Sequence, residues 1–270
     1  MKLGNTATRI IVSVIAIPGI VLASYLGSYY FFVFITGIGI IAYYEFWFIT
    51  KSKAIEANLF PGFVSVGLII LNAFRNFIDF YTLIIIIIIT LSFLELFRNK
   101  GSAIINLGST LLGIFYVGLF SSALLSLREY YTTDYERGGF IIISLLASIW
   151  ICDSAAFFAG TALGKHKLFP RVSPKKSWEG AVFGLLFAVV SMILSKVIIL
   201  SFLSWISVII IGLIVGVVGQ IGDLIESLFK RDAGVKDSSD IIPGHGGVFD
   251  RFDSLLYTGP AVLLYIKYFS

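Results

Sequence analysis

The stretch FYTLIIIIIITLSFLELF, residues 80–97, contains six consecutive isoleucines at positions 84–89. A helix of about 20 mostly apolar residues is long enough to cross a ~30 Å hydrocarbon layer. Similar apolar runs recur along all 270 residues, of which 58% are hydrophobic and 13% are charged. Soluble domains carry about 25% charged residues. The sequence therefore predicts an all-α, polytopic integral membrane protein that lies in a lipid bilayer.

The apolar runs predict nine transmembrane helices. They lie near residues 10–26, 29–49, 60–75, 80–97, 107–127, 139–162, 178–199, 203–229 and 254–268. The third is the least regular, because Asn72 and Arg75 interrupt it. The first follows basic residues, as in a signal peptide, but it lacks a small-residue cleavage site. We therefore expect it to be a retained helix.

The basic residues predict the orientation of these helices. With a cytoplasmic N-terminus, 15 of the 20 Lys and Arg residues fall in inside loops: Lys2, Arg9, Lys51, Lys53, Arg98, Lys100, Lys165, Lys167, Arg171, Lys175, Lys176, Lys230, Arg231, Lys236 and Arg251. The outside loops hold Arg75, Arg128, Arg137 and Lys267. This bias follows the positive-inside rule. For a bacterium, it predicts an inner (plasma) membrane protein with its polar loops in the cytoplasm.

The chain changes character near residue 138. Residues 1–138 read as a hydrophobic helical region with short loops, and residues 139–270 add two long polar loops, 164–177 and 230–253. Acidic residues also lie in or beside the helices of this second region. The single cysteine, Cys152, excludes an internal disulfide and a multi-cysteine metal cluster, and we expect it to be a packing residue. We expect the chemistry to reside in residues 139–270.

Two aspartates fall inside predicted helices of the second region. Asp153 lies about 14 Å and Asp223 about 10 Å from the predicted cytoplasmic helix ends, at 1.5 Å per residue. Such a carboxylate usually faces a wet cavity or a partner, although a protonated structural Asp is the alternative. Asp223, Ser227, Lys230 and Arg231 share one helical face. That face would suit a metal-bound phosphate ligand, but the two cations could equally mark the helix end.

The second polar loop holds charged residues and glycines in close succession: Lys236, Asp237, Gly244, His245, Gly246, Gly247, Asp250, Arg251 and Asp253. The glycines allow backbone N–H groups to approach phosphate oxygens. The carboxylates are suitable ligands for Mg²⁺. Helix N-capping is the alternative for Asp250 or Asp253. His245 could bind phosphate, hold the turn or act as a base.

The first polar loop contains Ser173, Lys175 and Lys176. Lysines beside serines suit a polyphosphate or anionic lipid headgroups. The alternative is that the lysines set the topology and that Ser177 caps the seventh helix.

The segment SLFKRDAGVKDSSDIIPGHGGVFDRFD, residues 227–253, resembles the signature of the phosphatidate cytidylyltransferases, the CDP-diacylglycerol synthases. DSAAFFAG (153–160) and SPKKSWEG (173–180) also resemble segments of that family. The resemblance covers the second half closely, and it extends to the first half only in hydrophobicity. Ser239 stands where the resemblance leads us to expect glycine more often.

The resemblance implies transfer of CMP from CTP to phosphatidate, with release of pyrophosphate and a need for Mg²⁺. A phosphate monoester is largely ionised near neutral pH, so no dedicated base is demanded and His245 is the weaker candidate for that role. We assign metal binding to Asp223 and Asp250, with Asp253, Asp237 and Asp153 in reserve, and leave open whether a second cation binds. The phosphates are assigned to the loop cations and small residues: Lys175, Lys176, Lys230, Arg231, Lys236, Arg251, Ser173, Ser227, His245, Gly246 and Gly247.

Three alternatives remain at this stage. A related cytidylyltransferase could act on another anionic lipid phosphate, because the acceptor site is not visible in the motifs. Intramembrane aspartates and glycine-interrupted helices also occur in ion-coupled transporters. An inactive lipid-binding scaffold is the third. No nucleic-acid partner is expected, and a homodimer is left open.

Overall fold

The computed structural model describes residues 5–239, 241 and 246–270, with side chains from Val12 onward. His245, Gly244 and Asp240 lie outside these residues. Over the described residues, counting a helix together with any π-helical turn inside it, the chain forms nine helical segments: α1 (Asn5–Leu26), α2 (Ser28–Lys51), α3 (Leu59–Arg75), α4 (Phe80–Leu96), α5 (Ala103–Arg128), α6 (Glu136–Leu163), α7 (Trp178–Ile198), α8 (Trp205–Asp232) and α9 (Phe249–Phe269).

These nine segments coincide with the nine predicted apolar runs to within a few residues. Five of them, α2, α5, α6, α7 and α8, are long and apolar enough to cross a membrane. Three shorter apolar helices are Val12–Leu26, Leu59–Arg75 and Phe80–Leu96. The predicted helical membrane protein is therefore confirmed, whereas the number of crossings and the position of the N-terminus stay predictions.

Two features of the backbone were not predicted. The loop after α6 forms a two-stranded antiparallel hairpin, β1 (Lys167–Phe169) paired with β2 (Ser173–Ser177). In addition, α5 and α8 each contain a π-helical turn, at Ile114–Leu119 and Val215–Gly219. Such turns interrupt regular α-helix and often lie near functional positions. The turn in α8 ends four residues before Asp223.

The chain divides into two compact units. The first comprises residues 1–23, 28–126 and 232–251, and the second comprises 24–27, 127–231 and 252–270. The first unit buries apolar side chains of α2, α3 and α5, among them Ile35, Ile69 and Val117. It also holds a buried polar group in which Asn58 and Asn106 donate hydrogen bonds to Glu95 at 3.0 and 2.9 Å.

The second unit is built on close packing of α6, α7 and α8. Gly184 of α7 lies so near Cys152 that a Cβ there would be 3.2 Å from the sulfur. Ser148 of α6 donates a hydrogen bond to the Ala188 carbonyl at 3.0 Å. Cys152 is buried and free, so its predicted packing role is confirmed.

Arg128, which we placed in an outside loop, is the last residue of α5 and is completely buried. Its guanidinium donates hydrogen bonds to the carbonyls of Ser24 at 2.5 Å, Tyr25 at 2.7 Å and Tyr135 at 3.1 Å. The first two are carbonyls at the C-terminal end of α1, which have no partners within the helix. The planar fork of arginine can serve several such acceptors at once.

Replacement of Arg128 by Met should therefore leave several buried carbonyls without a donor. We expect Arg128→Met to lower the free energy of unfolding by about 3 kcal/mol. The measurement is SDS titration of the purified protein in detergent micelles. Arg171→Met, at an exposed position, is the control, and equal stability of the two variants would contradict this account.

Candidate active site

The side chains of Lys175 and Lys176, which are adjacent in the hairpin, differ in exposure. Neighbouring side chains of a strand point to opposite faces. In β2, Lys175 is exposed, whereas Lys176 is half-buried. The strand ends at Ser177, whose hydroxyl accepts a hydrogen bond from the Gly180 amide at 3.2 Å and caps α7, as predicted. The hairpin thereby turns Lys176, and not Lys175, toward the helices of its unit.

Lys176 pairs with Asp223 of α8. Its ammonium donates to Asp223 Oδ2 at 2.5 Å, and the two side chains are 28% and 31% exposed. The Ser227 hydroxyl donates to the other carboxylate oxygen of Asp223 at 3.3 Å, which confirms the predicted shared helical face for these two residues. Asp223 is therefore a carboxylate that is held by a lysine and a hydroxyl while part of it stays accessible.

Two more aspartates belong to this site. The charged groups that act on Asp253 are Asp223, Asp153 and Lys176. Helices α8 and α9 pack closely at this point, because a Cβ on Gly222 would lie 2.9 Å from the Asp253 carbonyl. This packing brings Asp253 near the helix that carries Asp223. We call Asp153, Asp223 and Asp253 the aspartate cluster. Lys176 supplies positive charge in direct contact with Asp223 and at longer range to Asp253, which offsets the repulsion between like charges.

Metal binding was tested against this arrangement. Among the described residues, no three His, Cys, Asp or Glu side chains lie close enough together to hold an ion by themselves. Mg²⁺ often uses only one or two protein carboxylates and takes its remaining ligands from water and substrate phosphates. A partly exposed Asp223 fits that pattern, so the residues present are compatible with a metal that arrives with its nucleotide.

Lys230 and Arg231 have partners that the sequence did not reveal. Lys230 Nζ lies 2.6 Å from Glu226 Oε2, and both side chains are almost completely buried. Arg231 Nε donates to the Val172 carbonyl at 3.3 Å, in the turn of the hairpin. The two cations were assigned to substrate phosphates, and the structure shows them in structural contacts. The signal for Glu226 was its place four residues before Lys230 on one helical face.

The signature segment of the first unit is organised by carboxylates. Asp250 Oδ2 accepts hydrogen bonds from the Ser238 amide at 3.0 Å, the Ser238 hydroxyl at 2.7 Å and the Gly247 amide at 2.9 Å. We predicted that the Gly247 amide contacts phosphate, and here it donates to Asp250. Gly246 has a φ of +81°, a conformation that favours glycine. One oxygen of Asp250, at the start of α9, thus joins Ser238 to Gly247; its donors precede the helix, so these contacts are not the N-capping of α9 that the alternative described.

Sequence reasoning missed Glu45, which contacts the same segment. This α2 side chain has zero exposure. The Val248 amide donates to its Oε1 at 3.0 Å, and the Phe249 amide donates to its Oε2 at 2.6 Å. The Ser239 hydroxyl also donates to it, and the Ser238 hydroxyl, which donates to Asp250, lies 3.0 Å from Glu45 Oε2. The available signal was a single carboxylate inside an apolar run, which is costly unless it has partners.

The remaining predicted residues are placed as follows. Lys236, Asp237 and Arg251 are exposed residues of the first unit, and Ser173 begins β2 in the second. The structure brings together Lys176, Ser227 and the aspartate cluster within one unit. Asp250 and Gly247 meet in the other unit. His245 lies outside the described residues, so its role stays a prediction.

The buried pair of Glu226 and Lys230 yields a test of the phosphate assignment. If Lys230 is structural, Lys230→Met leaves a buried carboxylate without its ion partner and should lower the free energy of unfolding by about 3–5 kcal/mol. The double variant Glu226→Gln/Lys230→Met should recover most of that loss. SDS titration in detergent measures both.

Lys175→Met is the control for this pair, because Lys175 is an exposed lysine of the same site region. It should leave stability unchanged. Normal stability of Lys230→Met, with only a higher KM for the nucleotide, would instead favour the original assignment of Lys230 to substrate.

The sequence was compared with families and proteins that are already known. The profile of the cytidylyltransferase family matches residues 7–269. A phosphatidate cytidylyltransferase of Bacillus subtilis is 30% identical over 97% of this chain and 98% of its own length. One from Brucella suis is 34% identical over 98% and 93%. One from Haemophilus influenzae is 44% identical over 52% of this chain and 51% of its own. The chain belongs to the cytidylyltransferase family.

Proposed function

We propose that this protein is a phosphatidate cytidylyltransferase, which transfers CMP from CTP to phosphatidate and releases pyrophosphate. Relatives that carry this name match almost the whole chain. The observation that carries the proposal is the site around Asp223, where a lysine and a hydroxyl contact one carboxylate and the charges of Asp223 and Asp153 act on a further carboxyl group, Asp253. Carboxylates and cations at one place are what a metal-bound triphosphate requires.

The reaction exchanges one phosphoanhydride for another. A phosphate oxygen of phosphatidate bonds to the α-phosphorus of CTP, the bond from that phosphorus to the β-phosphate oxygen breaks, and pyrophosphate departs with the electron pair. The nucleophile is already largely ionised near neutral pH, because the second pKa of comparable phosphates is about 6. The protein therefore needs to position two anions and to offset their charge, and it needs no dedicated base.

The cations divide this work according to their exposure. Lys176 lies beside Asp223 and would neutralise the phosphates nearest the reacting phosphorus. Exposed Lys175, Lys236 and Arg251 would bind the outer phosphates and the leaving pyrophosphate. Ammonium and guanidinium groups form strong, charge-assisted hydrogen bonds with such oxygens. Lys230 and Arg231 would act indirectly, by holding α8 and the hairpin in place.

Mg²⁺ is the proposed cofactor, with Asp223 and Asp250 as its protein ligands and Asp253, Asp237 and Asp153 in reserve. When bound, the ion neutralises charge on the phosphates. The structure supports Asp223 more than Asp250, because one oxygen of Asp250 already accepts three hydrogen bonds. Whether a second cation takes part is left to measurement.

The membrane arrangement is proposed from the charge pattern. Nine spans with a cytoplasmic N-terminus place both polar loops, 164–177 and 230–253, on the cytoplasmic side, where CTP is available. In a bacterium, the enzyme would lie in the inner (plasma) membrane and take its lipid substrate from the bilayer. A homodimer is compatible with this arrangement.

The reaction is tested by pyrophosphate release from purified protein in detergent. We expect release with CTP, phosphatidate and Mg²⁺ together, and none with ATP or GTP, without phosphatidate, or with EDTA. An isoprenyl phosphate offered in competition tests the acceptor. Preference for that lipid would replace phosphatidate by another lipid phosphate, and no release from folded protein with any lipid phosphate would refute the proposal.

The metal assignment is tested by neutralising single carboxylates. Asp223→Asn should lower kcat by about a hundredfold or more, because it removes charge that acts on the transition state. Asp250→Asn should also lower kcat if it binds metal. Asp232→Asn, at an exposed position on the same helix as Asp223, is the control and should behave like wild type. Wild-type turnover by Asp223→Asn would remove that residue from the site.

A further inference from the structure

We propose that Glu45 is a positioning residue for the signature segment, and that it holds together the described residues on either side of positions 240–245, namely Ser238 and Ser239 before them and Val248 and Phe249 after them. It would act through Ser238, Ser239 and the start of α9 rather than by touching the substrate. The inference rests on the proposed function for its catalytic consequence. Its structural part concerns the described residues of the first unit alone.

The contacts of Glu45 bracket the loop from both sides. Before residue 240, the Ser239 hydroxyl donates a hydrogen bond to Glu45, and the Ser238 hydroxyl, which also contacts Asp250, lies 3.0 Å from Glu45 Oε2. The amides of Val248 and Phe249 donate to Glu45 after residue 245. One side chain from α2 therefore joins two positions that are nine to eleven residues apart in sequence. A loop whose two ends are joined has fewer conformations to lose when it binds a ligand.

The pattern of donors requires a carboxylate. A backbone amide is always a donor, and one amide meets each oxygen of Glu45, so both oxygens act as acceptors. Glutamine has one acceptor and one donor group, so it would turn an NH₂ group toward at least one of these amides. The first amides of a helix also favour a negative charge. Glu45 thus caps α9 from a different helix.

The fit around Gly247 is a second, independent observation. A Cβ on Gly247 would lie 1.9 Å from the Ser238 hydroxyl oxygen and 2.6 Å from Glu45 Oε2. The segment thus approaches the carboxylate too closely for any side chain at that position. The Ser238 hydroxyl lies 3.0 Å from Glu45 and 2.7 Å from Asp250, so it links the two carboxylates. Asp250, a proposed metal ligand, is therefore held in the same network as Glu45.

The position of Glu45 in α2 suits this role. It lies six residues before Lys51, the last residue of α2, or about 9 Å along the helix. A carboxylate at that depth is expensive without partners. Its partners are supplied only when the signature segment is in place. The stability of the segment and the burial of the charge therefore depend on each other.

The test compares Glu45→Gln with Glu95→Gln. Both positions are buried carboxylates of the first unit, but Glu95 contacts Asn58, Asn106 and Arg98, which are far from the signature segment in sequence. Ser239→Ala, which removes a single donor to Glu45, is a milder variant in case Glu45→Gln folds poorly. Wild type and the three variants are purified in the same detergent.

Two measurements are made on each protein. Hydrogen–deuterium exchange of residues 236–251 reports on the loop without requiring activity. In Glu45→Gln we expect this exchange to be about tenfold faster or more, with less change elsewhere. Pyrophosphate release should show kcat/KM for CTP falling by about tenfold to a hundredfold while the KM for phosphatidate stays within about twofold. Ser239→Ala should shift both in the same direction by less.

The outcomes separate the two proposals. Faster exchange confined to residues 236–251, in Glu45→Gln but not in Glu95→Gln, supports the positioning role even if wild type releases no pyrophosphate, which would refute only the proposed reaction. Unchanged exchange of this segment in Glu45→Gln overturns the inference. Equal acceleration across the whole protein also overturns it, because Glu45 would then be a general structural residue.

Discussion

A charged side chain among apolar helices must have partners, because an isolated charge in hydrocarbon costs on the order of 2.5–3.5 kcal/mol or more. Four carboxylates inside the helices meet this demand in different ways. Glu45 accepts hydrogen bonds from the Ser239 hydroxyl and from the amides of Val248 and Phe249, and the Ser238 hydroxyl lies 3.0 Å from it. Glu95 uses two asparagines and an arginine. Glu226 pairs with a lysine one turn away, and Asp223 pairs with a lysine from the hairpin. Each of these four buried or half-buried carboxylates therefore has a polar partner.

The same demand divides the motif cations into two groups. Lys230 and Arg231 hold protein groups of their own unit, and Lys176 offsets the aspartate cluster. A cation that already has a protein acceptor gains less from a substrate phosphate than a solvated one does, because it must exchange partners. In the proposed reaction, the exposed Lys175 would therefore capture a phosphate more readily than Lys176 of the same hairpin would. Lys176 would act later, when a phosphate approaches the Asp223 carboxylate that it now contacts.

Local sequence patterns predicted the helices but did not predict contacts between residues that are distant in sequence. All nine apolar segments, the Ser177 cap and the contact between Asp223 and Ser227 follow from hydrophobicity or from helical spacing. The hairpin was missed because its eleven residues have no alternating apolar pattern. The role of Glu45 could not be read from the sequence, since its hydroxyl partners lie 193 and 194 residues away. A residue whose partners are distant in sequence leaves no periodic pattern from which its role could be predicted.

The contacts of Glu45 bear on the role of the hydrophobic first half. By composition, residues 1–138 could be only a membrane anchor for a catalytic second half. Yet the segment with the strongest resemblance to a nucleotide-transfer signature has its charged partner in α2, and its described residues between 232 and 251 belong to the same compact unit as residues 28–126. Ser239 strengthens this link, since its hydroxyl adds a donor to Glu45 where we expected glycine. The two halves are therefore interdependent: the signature segment needs a buried carboxylate to fix its shape, and that carboxylate needs the segment to remain buried.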